Sequence, residues 1–505
     1  MLALLLTLYV TAVALAGAWV TWALRRSAQT TPARRLALGL CLVVLLGLTC
    51  YAFLADTDDG ARSGAAGVAF IIAAALATAA EWWVTTLGSP ARGAMAGRHA
   101  VPAPADLRLR VVPGGVTAAS GFAAGAGCCG LRETPDLALV VSDRPAIAAG
   151  VFTANIVKAA PVVVSQRHIA DGAARAVVLN AACANAYTGE KGLRNAEAMA
   201  ATTAAALGAA PEDVLVCSTG VIGRQLDIDS VAAGIRGLSP IVRPDGGADA
   251  AKAILTTDTL PKEVAVSVDI GGRTVNIGGM AKGAGMIHPS MATMLCVITT
   301  DADASAELLH RTLTGAVADS FNMVTVDGDM STNDTVLLLA NGASGVAIEP
   351  HTSEAEAWAS GLRYVCTTLA MRIAADGEGA TRRIDVTVTG AATEDDARRA
   401  AKAVASSLLV KTAVYGQDPN WGRVLAALGY SGARFQPEDV SLWIGDACLV
   451  HGGEPAIVDL DSVRGALGRP IVPIRADLGA GNRQASAWTC DMTEGYIHIN
   501  AHYTT

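Results

Sequence analysis

Lys282-Gly-Ala-Gly-Met-Ile-His-Pro-Ser-Met-Ala-Thr-Met-Leu295 is the stretch on which the fold turns. It sets a hydroxyl residue, Thr293, directly after a small residue, Ala292, behind a glycine-rich approach. A threonine becomes a strong nucleophile when its own α-amine acts as its base. Inside a chain that amine exists only after the Ala292–Thr293 bond is cut, so the stretch is a candidate self-cleavage site. Gly283 and Gly285 permit close backbone approach. Lys282 suits a carboxylate as a point charge; a surface lysine on a glycine loop is the other reading of the same residue.

The chain has 505 residues, enough for about three domains. Charged residues are 17% and the formal net charge is −8, with no large Lys/Arg cluster in the globular part, which argues against nucleic-acid binding. The 10 cysteines form no CxxC pair and no finger spacing, so they are expected to be reduced, packed thiols, with no metal site.

Apolar residues concentrate at the N-terminus. Residues 1–24 and 36–55 carry no charge, and each is long enough to cross a bilayer. A third stretch, 64–87, is interrupted by Glu81 beside Trp82 and Trp83. Two to three transmembrane helices are therefore expected within a region 1–98 that ends in a linker. Arg25, Arg26, Arg34 and Arg35 put the first loop in the cytoplasm. Three spans then return the chain to the cytoplasmic side, so the catalytic part is expected there, tethered to the plasma membrane; if the third stretch does not span, the globular part lies outside. Met95 offers an alternative start, which would leave a cytoplasmic enzyme without the tether.

From Leu107 short Val/Ile/Leu-rich strands alternate with Ala-rich helical stretches. Strands are expected at 137–142, 176–179, 214–218, 263–269, 295–299, 335–339 and 383–389, and helices at 195–207, 305–319, 353–375 and 394–408. Strands and helices interleave without a strict βαβ rhythm, which predicts a mixed α/β, α+β layered fold. The C-terminal Tyr496-Ile-His-Ile-Asn alternates as a strand and implies a tail tucked into the fold.

Several segments carry chemistry. Cys217-Ser-Thr-Gly-Val-Ile-Gly follows a strand, and a Thr-Gly at a sharp turn can aim a hydroxyl and an N–H at one point. Thr256-Thr-Asp-Thr-Leu-Pro-Lys offers hydroxyls and a carboxylate, or a turn. Phe321 to Asp334 packs acids and hydroxyls into a turn-rich segment that lacks the last glutamate of an EF-hand. In Asp376-Gly-Glu-Gly, Glu378 is either an exposed acid for a substrate ammonium or a solvated turn.

Together these motifs resemble the ornithine acetyltransferase family, the bifunctional arginine-biosynthesis enzymes often called ArgJ. The resemblance runs from about Val111 to Thr505. It includes GGVTAASGF from Gly114, AGVFTAN from Ala149, STGVIG from Ser218, TTDT from Thr256, the opening stretch, SFNMVTVDGDMSTND from Ser320, DGEGAT from Asp376 and the terminal INAHYTT. It implies an N-terminal-nucleophile acyltransferase made as one precursor and cut into an alpha chain, 99–292, and a beta chain, 293–505. These chains would assemble as a heterotetramer of two alpha and two beta. By the same resemblance Thr293 is the nucleophile, Thr219 and Gly220 form the oxyanion hole, and Thr256, Lys282, Thr293, Glu378, Asn500 and Thr505 contact substrate. The implied reaction moves an acetyl group from N2-acetyl-L-ornithine to L-glutamate through an acetyl-threonine, with no organic cofactor; acetyl-CoA as a second donor is left open. Where the family typically reads Asn-Ser-Gly-Asn-Ala-Asn-Ala, this chain has Asn180-Ala-Ala-Cys-Ala-Asn-Ala; Ala181 and Cys183 remove a hydroxyl and an amide, which leaves substrate preference and efficiency open but not the nucleophile. Two other readings stand beside this one: an aminopeptidase or amidohydrolase using the same threonine, and a membrane-tethered inactive scaffold.

Overall fold

The structure, a computed structural model, describes residues 97–288 and 294–502. The expected membrane spans, Ala292, Thr293 and Thr505 lie outside the described residues. Among the described residues no helix is long and apolar enough to cross a membrane.

The strands form two sheets. In the first, the order is β1 (Leu109–Val112), β6 (Lys262–Ile270), β7 (Arg273–Lys282), β8 (Leu295–Thr300), β9 (Thr335–Ala340), β3 (Leu137–Phe152), β4 (Ala173–Asn180) and β5 (Val214–Ser218), with β2 (Phe122–Gly127) also on β3. Only β8–β9 and β4–β5 run parallel; the other neighbours are antiparallel. The second sheet orders β13 (Glu454–Pro455), β12 (Ala447–His451), β11 (Ser441–Ile444), β14 (Ile471–Asp477), β10 (Arg383–Ala391) and β15 (Arg483–Cys490). This is the mixed α/β layered architecture that the interleaved pattern predicts.

The central strands read as continuous apolar runs because both faces are covered. Every residue of β8, LCVITT, and of β9, TVLLLA, is buried. The helix Ser353–Ala375 lies on one face, with Trp358, Leu362, Val365 and Leu369 all at 0% exposure, in one core with Val266, Val268 and Ile277 of β6 and β7. Its start is fixed by Thr352, whose hydroxyl accepts the Ala355 N–H at 3.1 Å, a cap worth about 1 kcal/mol.

Sheet register places the functional end of the molecule. Lys282, the last residue of β7, stands opposite Leu295, the first of β8, and Leu295 opposite Thr335, the first of β9. The parallel pair β4 and β5 ends in Asn180 beside Ser218. The loops that follow these strands carry the polar motifs.

The C-terminal segment departs from expectation. Glu494–His502 is a helix, not a strand. The alternation in Tyr496-Ile-His-Ile-Asn has no sheet edge to bury it: Ile497 is 65% exposed, and no residue of this helix is buried. As a helix the segment puts Tyr496 and Asn500, four apart, on one face.

Candidate active site

One pocket gathers Ala184, Thr219, Gly220, Thr256, Lys282, Gly285, Asp327, Asn333, Glu378, Tyr496 and Asn500. It therefore brings together all the expected site residues that are described. Thr293 and Thr505 lie outside the described residues; the β7–β8 register nonetheless puts Leu295, two positions after Thr293, beside Lys282.

Lys282 is no surface residue. Its side chain is 2% exposed, and its ammonium donates to Thr256 Oγ1 at 2.8 Å and to Thr219 Oγ1 at 3.3 Å. A hydroxyl that accepts from an ammonium still has its own O–H to give. Both threonines can thus donate into the pocket while Lys282 holds their oxygens. Burial, with the Lys262 charge, lowers the Lys282 pKa, although Asp258 and Glu378 pull the other way.

Thr219 follows β5, and its N–H is engaged by the Asn180 carbonyl at 3.0 Å. What Thr219 offers a ligand is therefore its hydroxyl. Gly220 has φ +130°, and a Cβ there would lie 2.2 Å from the Ala182 carbonyl carbon, so only glycine lets the two loops touch. Asn180 ties the same loops further: its Oδ1 accepts from Ser218 Oγ at 2.6 Å and its Nδ2 donates to the Cys183 carbonyl at 2.9 Å.

Glu378 is 6% exposed, which removes the solvated-turn reading. Its N–H donates to the Ala284 carbonyl at 2.9 Å, and its carboxylate accepts from Asn500 Nδ2 at 2.7 Å. Gly285 makes room for it, since a Cβ there would meet that carboxylate at 2.4 Å. The Lys-Gly-Ala-Gly run thus passes beneath Glu378 and presents a cation and an anion to one cavity.

Sequence reasoning missed the groups that hold these residues. Asn333 donates from Nδ2 to the Ala184 carbonyl at 2.7 Å and to the Ser218 carbonyl at 2.8 Å, stapling both loops to the start of β9. Asp334 beside it is fully buried; its Oδ1 accepts the Met294 N–H at 3.0 Å, and its Oδ2 has no partner among the described residues. Burial raises its pKa well above the usual carboxylate value. Asp258, with its side chain at 0% exposure, accepts from Lys262 Nζ at 2.7 Å and from the Gly283 N–H at 2.6 Å. The Asp258…Lys262 spacing of four was visible in the TTDTLPK run, but nothing local showed that both side chains turn inward.

The departures at 181 and 183 face away from chemistry. Ala181 and Cys183 are both 0% exposed, Cys183 Sγ contacts the Arg224 carbonyl, and of this loop the described pocket lining includes Ala184. Among the described residues no group of three or more His, Cys, Asp or Glu is arranged to hold a metal ion.

The ArgJ family model matches residues 123–505, the whole of the polypeptide that builds this pocket. The chain belongs to the ArgJ family. It is 53% identical over 397 residues to the arginine biosynthesis bifunctional protein ArgJ of Symbiobacterium thermophilum, covering 78% of this chain and 99% of that one. It is 46% identical over 397 residues to the ArgJ of Dehalococcoides mccartyi, covering 78% and 98%. Among solved structures, the crystal structure of ArgJ from Bacillus halodurans is 39% identical, with a TM-score of 0.40 over 41% of this chain and 97% of that chain. The ArgJ match leaves out the apolar N-terminal region.

Proposed function

We propose that this ArgJ-family chain is a glutamate N-acetyltransferase of arginine biosynthesis, moving the acetyl group of N2-acetyl-L-ornithine to L-glutamate through an acetyl-threonine at position 293. The observation that carries the site assignment is the single pocket in which Lys282, with two threonine hydroxyls on its ammonium, faces the Glu378 carboxylate. An amino-acid substrate carries both signs of charge, and this pocket offers a partner for each.

Maturation comes first. Thr293 Oγ attacks the Ala292 carbonyl carbon, the C–N bond breaks, and the nitrogen keeps the hydroxyl proton. Water hydrolyses the resulting ester, leaving Ala292 as a carboxylate and Thr293 with a free α-amine. An α-amine has a pKa of about 7.7–8, so near neutral pH an appreciable fraction is a competent base. That amine takes the Oγ proton as Oγ attacks the acetyl carbonyl of acetylornithine. The Thr219 hydroxyl and Gly220 stabilise the oxyanion. Collapse returns the proton to the departing nitrogen, and ornithine leaves. The glutamate α-amine then attacks the acetyl-threonine, Thr293 Oγ departs and regains the proton, and N-acetylglutamate is released. Atoms and charges balance with these groups alone, so the proposal includes no metal or organic cofactor. A shared site with a covalent intermediate gives ping-pong kinetics.

Thr256, Asn500 and Thr505 complete the substrate contacts. The cut chains, 99–292 and 293–505, stay together as two alpha and two beta chains. Acetyl-CoA serves as a second donor, which makes the enzyme bifunctional. The region 1–98 tethers the catalytic part to the cytoplasmic face of the plasma membrane; carbonate-resistant membrane association of the full chain, lost on deleting residues 1–94, tests the tether.

N-terminal sequencing of the purified protein is expected to find a fragment beginning at Thr293, and Thr293→Ala is expected to stay uncut and inactive. Equal consumption of acetylornithine with and without glutamate would indicate a hydrolase and overturn the transferase assignment.

A further inference from the structure

Four buried charged side chains form an alternating chain beneath the pocket. Lys282 Nζ lies 3.7 Å from Asp258 Oδ2; Asp258 Oδ1 accepts from Lys262 Nζ at 2.7 Å; and the same Nζ donates to Asp376 Oδ2 at 2.6 Å. All four side chains are between 0% and 2% exposed. Asp376 stands two positions before Glu378. It ends the helix Ser353–Ala375 and is further held by the Thr259 N–H at 3.0 Å and by the Thr259 hydroxyl. The run therefore starts on one pocket charge, Lys282, and ends at the turn that carries the other, Glu378.

Desolvating four ionic groups costs several kcal/mol per ion, and the mutual attraction offsets that only where geometry and hydrogen bonding are good. Stability alone is therefore a weak reason for such a chain, since a packed apolar cluster would serve as well or better. What apolar packing cannot do is hold an ammonium in a fixed place by its charge. Lys262 is also the cation that Asp376 depends on. His99, the nearby alternative, is pushed by burial to about 4 and is neutral at physiological pH, although Asp376 draws it upward. Arg98 and Arg372 add positive charge around His99, while Lys282 is faced by Asp258, Lys262, Glu378 and Asp334.

We propose that Lys262 is a positioning residue for the acetyl transfer: by bridging Asp258 and Asp376 it fixes the Lys282 ammonium and the Glu378 carboxylate in one frame. It does so across the cleavage point, because Asp258, Lys262 and Lys282 precede Thr293 whereas Asp376 and Glu378 follow it. The bridge ties the two substrate-holding arms together once the chain between them is cut. Lys262 itself is not among the residues lining the pocket.

The inference rests on Lys282 and Glu378 being the substrate contacts, so the experiment includes Lys282→Met and Glu378→Gln. Both half-reactions are followed in Lys262→Met, in Asp376→Asn, and in the double variant Lys262→Met/Asp376→Asn, which removes one charge of each sign and so avoids an unpaired buried acid. Self-cleavage and circular dichroism report folding, and the double variant carries the test where Lys262→Met alone does not fold. The bridge predicts that kcat/KM for both substrates falls by about a hundredfold in the folded, cleaved double variant, the scale of loss expected from misplacing reactants by an ångström. It also predicts that the basic limb of the kcat/KM profile moves to higher pH, since Lys282 loses a neighbouring positive charge. Removing the Lys262 charge moves that profile whatever its role, so the deciding readout is kcat/KM, split into kcat and KM, which a purely structural role would leave as in the parent once the variant is folded and cleaved. Parental kcat and KM for both substrates in a folded, cleaved Lys262 variant overturn the inference. Parental kcat/KM in Lys282→Met and Glu378→Gln overturns instead the site assignment beneath it.

Discussion

The two walls of the pocket are backed by opposite means. On one side Lys282, Asp258, Lys262 and Asp376 are full charges, buried and paired. On the other, Asn180, Ser218, Thr219, Gly220 and Asn333 are neutral groups joined by hydrogen bonds, with a backbone so tight that only glycine fits at position 220. Asp334, the acid next to Asn333, has no buried cation bonded to it among the described residues, and burial raises its pKa, whereas Asp258 is held below the usual carboxylate range. The difference matches two tasks. A permanent charge on a substrate needs a permanent counter-charge to hold it. A charge that exists only during transfer is better met by fixed dipoles, which do not bind the ground state equally well.

The comparison breaks most readily at Asp258. Desolvation there favours the neutral acid, but Lys262, Lys282 and the Gly283 N–H overcome it and lower the pKa. Asp258→Asn leaves Lys262 and Lys282 short of a counter-charge and is expected to cost about 3–5 kcal/mol in urea unfolding at pH 7. A folded pKa below the unfolded value means that the carboxylate contributes stability fully above about pH 4–5 and loses it as pH falls further toward the folded value. The gap between parent and variant should therefore narrow on acidification; a gap that widens below pH 4 would contradict the pairing.

Thr219→Val tests the neutral wall. Loss of one oxyanion donor is expected to lower kcat by about 10²–10³, roughly 2.7–4 kcal/mol, with KM nearly unchanged. A change confined to KM in steady-state kinetics would move Thr219 to the ground-state wall. Lys282→Met is the converse: removing hydrogen bonds to a charged partner is expected to cost about 1.5–3 kcal/mol of binding, seen as a rise in KM for glutamate. Because the Lys282 pKa is lowered, the parent's glutamate KM should also rise on the alkaline side at a pH below that of an ordinary lysine. The smallest effect is expected behind the neutral wall. Cys183→Ala should leave kcat and KM within about twofold, like other changes that touch no reacting group, and a larger shift in acetylornithine KM would show that the 180–186 loop selects substrate.

Most of the fold was legible because its signals are local and redundant. β5, Val214–Ser218, and the helix Ser353–Ala375 fall where an apolar run and an Ala-rich stretch place them. The C-terminal segment misled because alternation over five residues does not say whether a sheet edge is there to receive it. In the site, Thr219, Gly220, Thr256, Lys282, Glu378 and Asn500 carried a chemical reason or a family resemblance. Asp258, Lys262, Asp376 and Asn333 act only on other protein groups, and a lysine four residues from an aspartate reads the same on a surface as in a core.

The sequence by itself determined the family, the order of the elements and the residue types that do chemistry, because composition, periodicity and motif are properties of neighbours along the chain. Only the tertiary structure decided that Lys282 and Glu378 share one cavity, that Thr219 presents its hydroxyl, and that Lys262 joins Asp258 to Asp376. Those facts depend on burial and on contacts between separate segments of the chain, 114 positions apart for Lys262 and Asp376. The energy of a charge is set by what surrounds it in space.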